Sequence, residues 1–157
     1  MIARAIPKTR ARRCKLLYVE DHAESIALVE TLLAGRKDLL LLRAADANRG
    51  IEIARTQQAE AILINIDLAG SSALEFMKIL RAERALETTP ILALGANVAP
   101  EAIVKGLEAG FFQYLAKPLQ AAPFMEALAS ALEYAAVERS EQNMVPLHRR
   151  TTLKESR

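Results

Sequence analysis

Two kinds of apolar pattern alternate five times along this chain, short β-rich runs each followed by a longer stretch with helical spacing. The runs are Lys15 to Val19, Leu39 to Ala44, Ala61 to Ile66, Pro90 to Leu94 and Phe111 to Ala116. They are mostly solid rather than alternating, which suits strands buried on both faces of a parallel sheet. Between them Ile26, Val29, Leu32 and Leu33 keep a helical stripe, as do Ile51 and Ala54, and Leu74, Met77, Ile79 and Leu80. Pro100 opens another helix, at a position where the missing N–H costs nothing. Right-handed crossovers place helices on both faces, and the common five-strand solution is a doubly wound α/β sheet of order 2-1-3-4-5.

A chain of 157 residues holds one ordinary domain with short extensions, and a core of that size stands without disulfides or metal. Cys14 is the only cysteine, so it reads as a passive thiol in a reducing compartment. No apolar run approaches the roughly 18 residues that span a bilayer, and Leu16 to Val19 is too short for a signal-peptide core. A soluble, cytoplasmic protein is expected, with no membrane contact. The 21 basic and 19 acidic residues are unevenly spread. Residues 1–15 hold six bases and no acid, and residues 138–157 hold five bases and three acids, which leaves a core with ten bases, sixteen acids and a charge of −6. The expected organisation is a basic, flexible N-terminal arm over residues 1–14, a domain over 15–137 and a polar C-terminal tail over 138–157.

In such sheets ligands bind outside the carboxyl ends of the strands, where the order reverses. That rule brings Glu20, Asp21 and Asn65 together, and strands four and five deliver Gly95, Ala96 and Lys117 to the same edge. Glycine-rich phosphate cradles, Walker motifs and Cys/His metal clusters are missing from the sequence. His22 reads as a partly exposed first-turn histidine beside the acid pair, and His148 lies in the polar tail. No catalytic group is assigned, and the chain is not expected to be an enzyme.

The wording at these strand ends is more specific than the pattern. Leu-Leu-Tyr-Val-Glu20-Asp21, the third strand through Asn65 with Leu68-Ala-Gly70, Thr89-Pro-Ile-Leu-Ala-Leu-Gly95-Ala-Asn and Glu108-Ala-Gly-Phe-Phe-Gln-Tyr114-Leu-Ala-Lys117-Pro118 together resemble the receiver domain of two-component response regulators. The last piece is similar to receivers fused to hybrid histidine kinases. The resemblance covers residues 15 to about 136 and implies a flavodoxin-like receiver fold. It also implies that Glu20 and Asp21 are the magnesium-binding acids, that Lys117 contacts a phosphoryl group and that the Lys117–Pro118 peptide is cis. Without phosphate, Lys117 is expected to pair with Asp21.

Two residues depart from that family pattern. Asn65 stands where the resemblance calls for the phosphoacceptor aspartate, and a neutral carboxamide is a feeble nucleophile. Gly95 replaces the Thr or Ser that would bond the phosphoryl oxygen, loosening the strand end and leaving Tyr114, the matching switch aromatic, without its partner. No cofactor is expected beyond weak, degenerate magnesium binding by Glu20, Asp21 and Asp67, the last offering its backbone carbonyl from the loop.

The expected function is that of a stand-alone receiver-like module, without an effector domain of its own, which works by docking onto a histidine kinase or other signalling protein. In the family the fourth helix, fifth strand and fifth helix form the usual partner or dimer surface. In the fifth helix Phe124, Leu128, Leu132 and Ala135 are expected to form the core stripe, with Ala127 and Ala131 on the partner surface beside Glu126 and Glu133. One alternative is phosphoryl acceptance at Asp67, or at Asn65 after its conversion to Asp. Another is nucleic-acid contact through the arm Arg4 to Lys15, against which the absence of aromatics in the arm argues.

Overall fold

The computed structural model describes residues 13–68 and 72–143. Most of the arm and with it the nucleic-acid contact, the Ala69-Gly70 part of the third-strand motif, and the tail beyond Asn143 with His148 lie outside the described residues. Strands and helices alternate as β1 (Cys14–Val19), α1 (Ala23–Leu33), β2 (Leu39–Ala44), α2 (Ala47–Gln57), β3 (Ala61–Asn65), α3 (Ala73–Arg81), β4 (Ile91–Gly95), α4 (Pro100–Ala109), β5 (Gln113–Ala116) and α5 (Ala121–Asn143). All strand pairs are parallel and the order is β2-β1-β3-β4-β5, as the alternation of patterns required.

The solid apolar runs are explained by two cores, one on each face. Successive strand residues point to opposite sides, so Leu16, Tyr18, Leu63 and Leu92 pack with Val29 and Leu33 of α1 and Phe124 and Leu128 of α5. Leu17, Val19, Ile62 and Ile64 pack instead with Ile51 and Ala54 of α2 and Phe76, Met77 and Leu80 of α3. Each fully buried aliphatic side chain contributes about 1.5–3 kcal/mol relative to its exposed state.

Local chemistry sets the helix ends. Asp46 and Ser72 accept from the N–H groups of Arg49 and Glu75 at the starts of α2 and α3. Gly110, at φ 117°, ends α4 in the left-handed region that favours glycine. The N–H of Phe111 is drawn into this cap, donating to the carbonyl of Gly106 at 3.1 Å. This is why β5 begins at Gln113 rather than at Phe111. Pro90 lacks the N–H that a ladder needs, and β4 runs from Ile91 to Gly95. The chain turns at Asn65, whose carbonyl accepts from the N–H of Leu68 at 3.3 Å, so β3 stops one residue before the expected Ile66.

Two expectations about helix faces are corrected. In α3 the sheet is met by Phe76, Met77 and Leu80, whereas Leu74 and Ile79 face solvent on the far side. In α5 the core stripe is Phe124, Ala127, Leu128 and Ala131, at helical spacing i, i+3, i+4, i+7. Ala127 and Ala131 are therefore buried against the strands and line no exposed partner surface, because small side chains are what lets the helix lie close to the sheet. Leu132 and Ala135 sit at its margin, while Glu126 and Glu133 are exposed. The boundary at residue 137 falls inside α5, whose final turns lie over the amino end of the sheet. There Arg139 approaches the buried Glu60 carboxylate at 3.4 Å and Gln142 donates to Thr88 at 3.5 Å.

Candidate functional site

The carboxyl ends of β1, β3, β4 and β5 converge where the strand order reverses. In register, Val19 pairs with Ile64, Asn65 with Leu94 and Gly95 with Ala116. Glu20, the first residue after β1, is held by its N–H donating to the carbonyl of Ala44 at 2.9 Å. The residue is only 1% exposed, so its carboxylate must find partners inside the protein.

It finds four. Oε1 accepts from the Tyr18 hydroxyl at 3.1 Å, and Oε2 accepts from the Asp21 N–H at 3.2 Å, the His22 N–H at 3.1 Å and Asn65 Nδ2 at 3.0 Å. Asn65 is itself buried, and its Oδ1 accepts from the Asp67 N–H at 2.9 Å, closing an Asx turn. The carboxamide thus links the ends of β1 and β3 and shapes the turn that follows. Burial, reinforced by the neighbouring Glu20 carboxylate and the bond to it, raises the Tyr18 phenol far above its ordinary value.

Asp67 stands on the other side of Asn65. Its carboxylate accepts from the Ala96 N–H at 2.9 Å and lies 3.1 Å from Lys117 Nζ. Burial pushes this carboxyl up, but the Ala96 N–H and Lys117 outweigh it and hold the group below the usual carboxylate range. Lys117 consequently pairs with Asp67 rather than with the expected Asp21. The sheet order favours the choice, since Lys117 leaves β5, Asp67 follows β3 two strands away and Asp21 follows β1 three strands away. The Lys117–Pro118 peptide is cis.

At the end of β4, Gly95 is buried, and an ideal Cβ placed there would come within 2.5 Å of the Tyr114 hydroxyl and 2.8 Å of Ile66 Cδ1. That hydroxyl donates to the Asn97 carbonyl at 2.6 Å, so Tyr114 has a partner after all, in the loop before α4. The strand end is filled rather than loosened. Burial, with the Asp67 carboxylate nearby, raises the Tyr114 phenol.

These positions bear directly on a divalent cation. Glu20, Asp21 and His22 can each bring one ligand atom within 4.8 Å of the others; the Asp67 carboxylate is turned instead to the Ala96 N–H and Lys117, and the ligand expected of Asp67 is its backbone carbonyl. Both oxygens of Glu20 accept hydrogen bonds, Oε1 one and Oε2 three, and Asn65 turns an NH2 group, not an oxygen, toward it. Magnesium wants several free hard oxygens in near-octahedral array. In this arrangement the Glu20 and Asp67 carboxylates are engaged within the protein, and the exposed Asp21 carboxylate, with His22 Nδ1 at 3.8 Å, is the one most open to an ion.

Glu20, Asn65 and Lys117 line one cleft of about 410 Å3 together with Leu28, Leu94 and Leu119. Sequence reasoning missed Tyr18 as part of the site. The signal was present, since Tyr18 and Glu20 are two residues apart along an extended segment and so share a side. The contact between Ile66, Gly95 and Tyr114 left no such trace, because the three come from the turn after β3, from β4 and from β5.

Comparison with known proteins agrees with this architecture. The response regulator receiver domain family matches residues 16–129. The sensory/regulatory protein RpfC of Xanthomonas campestris pv. campestris is 30% identical over 126 residues, which cover 78% of this chain. The chain spans 17% of the length of RpfC. The chemotaxis protein CheY-3 of Vibrio cholerae is 25% identical over 125 residues, covering 78% of this chain and 94% of that protein. Among solved structures, the chemotaxis response regulator CheY4 of Vibrio cholerae superposes with a TM-score of 0.69 at 24% identity, over 76% of this chain and 99% of its own. A CheY-like receiver domain protein of Methanospirillum hungatei gives 0.70 at 19% identity, over 80% and 98%. With a family match across most of its length and the fold to accompany it, the chain belongs to the response regulator receiver domain family of two-component signalling.

Proposed function

We propose that this receiver works as a docking module whose output does not depend on aspartyl phosphorylation at the end of β3, and that it is not an enzyme. One observation carries the reading: residue 65 is an asparagine whose carboxamide is committed to Glu20 on one side and to the Asp67 N–H on the other. A carboxamide nitrogen cannot take up phosphorus as a carboxylate oxygen does. The partner is a histidine kinase or another signalling protein of the same network, or a second copy of the chain.

The face offered is that of α4, β5 and α5. No residue of α4 is buried. Val98, Val104 and Leu107 around α4, with Tyr134 and Val137 on α5, are all more than a third exposed. Glu126 and Glu133 supply charge on α5. Sedimentation and pull-down with Val104→Asp and Leu107→Asp test this surface, since both side chains already face solvent and the fold should tolerate the change. A strict monomer that captures the same partners with and without these substitutions would remove the docking surface.

A second reading is favoured by a separate observation. Asp67 carries an exposed carboxylate, depressed in pKa and 3.1 Å from Lys117, so it is the one acid at this edge with both access and a cation beside it. Intact-mass measurement after incubation with acetyl phosphate and magnesium separates the two. The first reading expects no phosphoryl adduct on the native chain; an adduct lost in Asp67→Asn would transfer the function to Asp67.

A further inference from the structure

Among the groups at this edge, the contact between Glu20 and Asn65 joins two buried side chains 45 residues apart. We infer that the Asn65 carboxamide takes the structural place of a divalent cation, so that the carboxyl edge is held in shape with no metal at all. The inference goes beyond docking or phosphorylation, and neither of those readings is needed for it.

The argument starts from the two oxygens of Glu20. A buried carboxylate needs compensation from donors or positive charge. Three of its four donors are local: the Tyr18 hydroxyl, two residues before, and the N–H groups of Asp21 and His22, directly after. These fix the carboxylate relative to its own strand but not relative to the rest of the sheet. Only Asn65 Nδ2 reaches across from β3.

The same carboxamide passes the connection on. Through Oδ1 it holds the Asp67 N–H, and Asp67 then holds the Ala96 N–H and Lys117. The ends of β1, β3, β4 and β5 are thereby connected in one series of hydrogen bonds in which donors and acceptors alternate correctly. A metal ion would perform the same task by gathering acids from those ends. Here a neutral NH2 group performs it, and a cation placed at Glu20 would have to displace bonds already made.

An aspartate at position 65 would reverse the situation. Its carboxylate would face that of Glu20 at hydrogen-bond distance, in a site largely closed to water, where like charges repel strongly. Such a pair is relieved by a cation between its members or, at the cost of a raised pKa, by a shared proton. The side chain at 65 therefore decides whether this edge depends on a metal.

Thermal unfolding in EDTA and in magnesium chloride, at matched ionic strength, tests this with the full chain. The native protein should melt at the same temperature in both. Asn65→Asp should melt roughly 5–10 °C lower in EDTA and recover in a saturable, magnesium-dependent way. If that variant is unfolded in EDTA, folding upon magnesium addition is the same result in stronger form. Asn65→Ala, which lacks both the donor and the charge, should lose stability equally in the two buffers, separating a lost hydrogen bond from repulsion. Saturable stabilisation of the native chain by magnesium overturns the inference. So does an Asn65→Asp variant whose folding, or failure to fold, is indifferent to the ion.

Discussion

The Tyr114 hydroxyl occupies the space that any side chain on residue 95 would need, 2.5 Å from the position of an ideal Cβ. Glycine at the end of β4 and tyrosine in β5 therefore form one packed unit, with Ile66 as its third wall. The hydroxyl also ties β5 to the loop before α4 through the Asn97 carbonyl. Since α4 buries no residue of its own, this bond is one of the contacts that fix where the exposed face lies.

Gly95→Ala should cost about 1–3 kcal/mol, the usual penalty for forcing an extra group into filled space. Tyr114→Phe removes the hydroxyl and its bond, at a cost of about 1 kcal/mol, but opens the same space. The double variant should then be destabilised by less than the sum of the two. Urea midpoints for the four proteins supply the cycle, and strict additivity would mean that the two residues do not share this volume.

Tyr18 predicts an alkaline weakness. Burial and the Glu20 carboxylate raise its phenol in the folded state, while in the unfolded chain it titrates near its ordinary value of about 10. Its contribution is whole below about pH 10 and is lost as pH rises from there through the folded value. The native chain should lose stability more steeply between about pH 9.5 and 11 than Tyr18→Phe. At neutral pH the order of stability should be the reverse of any alkaline convergence, with Tyr18→Phe the weaker, since Glu20 has lost a donor. Denaturant midpoints across that range check both statements.

The α5 stripe separates folding from docking. Phe124→Ala should cost about 3–5 kcal/mol through the cavity it leaves. Ala131→Glu should cost about 3 kcal/mol or more by burying an unpaired charge. Both should lower the unfolding midpoint directly, whereas Val104→Asp should leave it within about 0.5 kcal/mol of the native value.

Beyond the expected domain boundary, Arg139→Ala should destabilise the protein by about 1 kcal/mol and fray the end of α5. Its guanidinium approaches the buried Glu60, whose other oxygen accepts from the Lys15 N–H at 2.6 Å. Hydrogen exchange should quicken in residues 138–143 and leave Phe124 to Ala131 protected. Unchanged exchange at the helix end would show that the ion pair does not hold it.

The sheet was legible because its physics is local. Solid apolar runs of four to six residues, separated by helical stripes, admit few arrangements other than a parallel sheet covered on both faces, and the rule that ligands gather at the reversal of strand order then named Glu20, Asp21 and Asn65. Helix faces were less legible. Along α5 the apolar spacing pointed to Leu132 and left Ala131 outside the core stripe, whereas packing against the strands buries Ala131 instead.

What the sequence by itself determined is the order of elements, the edge on which the polar residues collect and the carboxamide at position 65. Tertiary structure alone decided the pairings: Lys117 with Asp67 instead of Asp21, Tyr114 over Gly95, and Asn65 as the donor that joins Glu20 to the neighbouring strand. Periodicity fixes which side of its own strand a residue occupies. Which polar atom it meets depends on loops that bring separate strands within about 3 Å of one another, and spacing along the chain carries no measure of that distance.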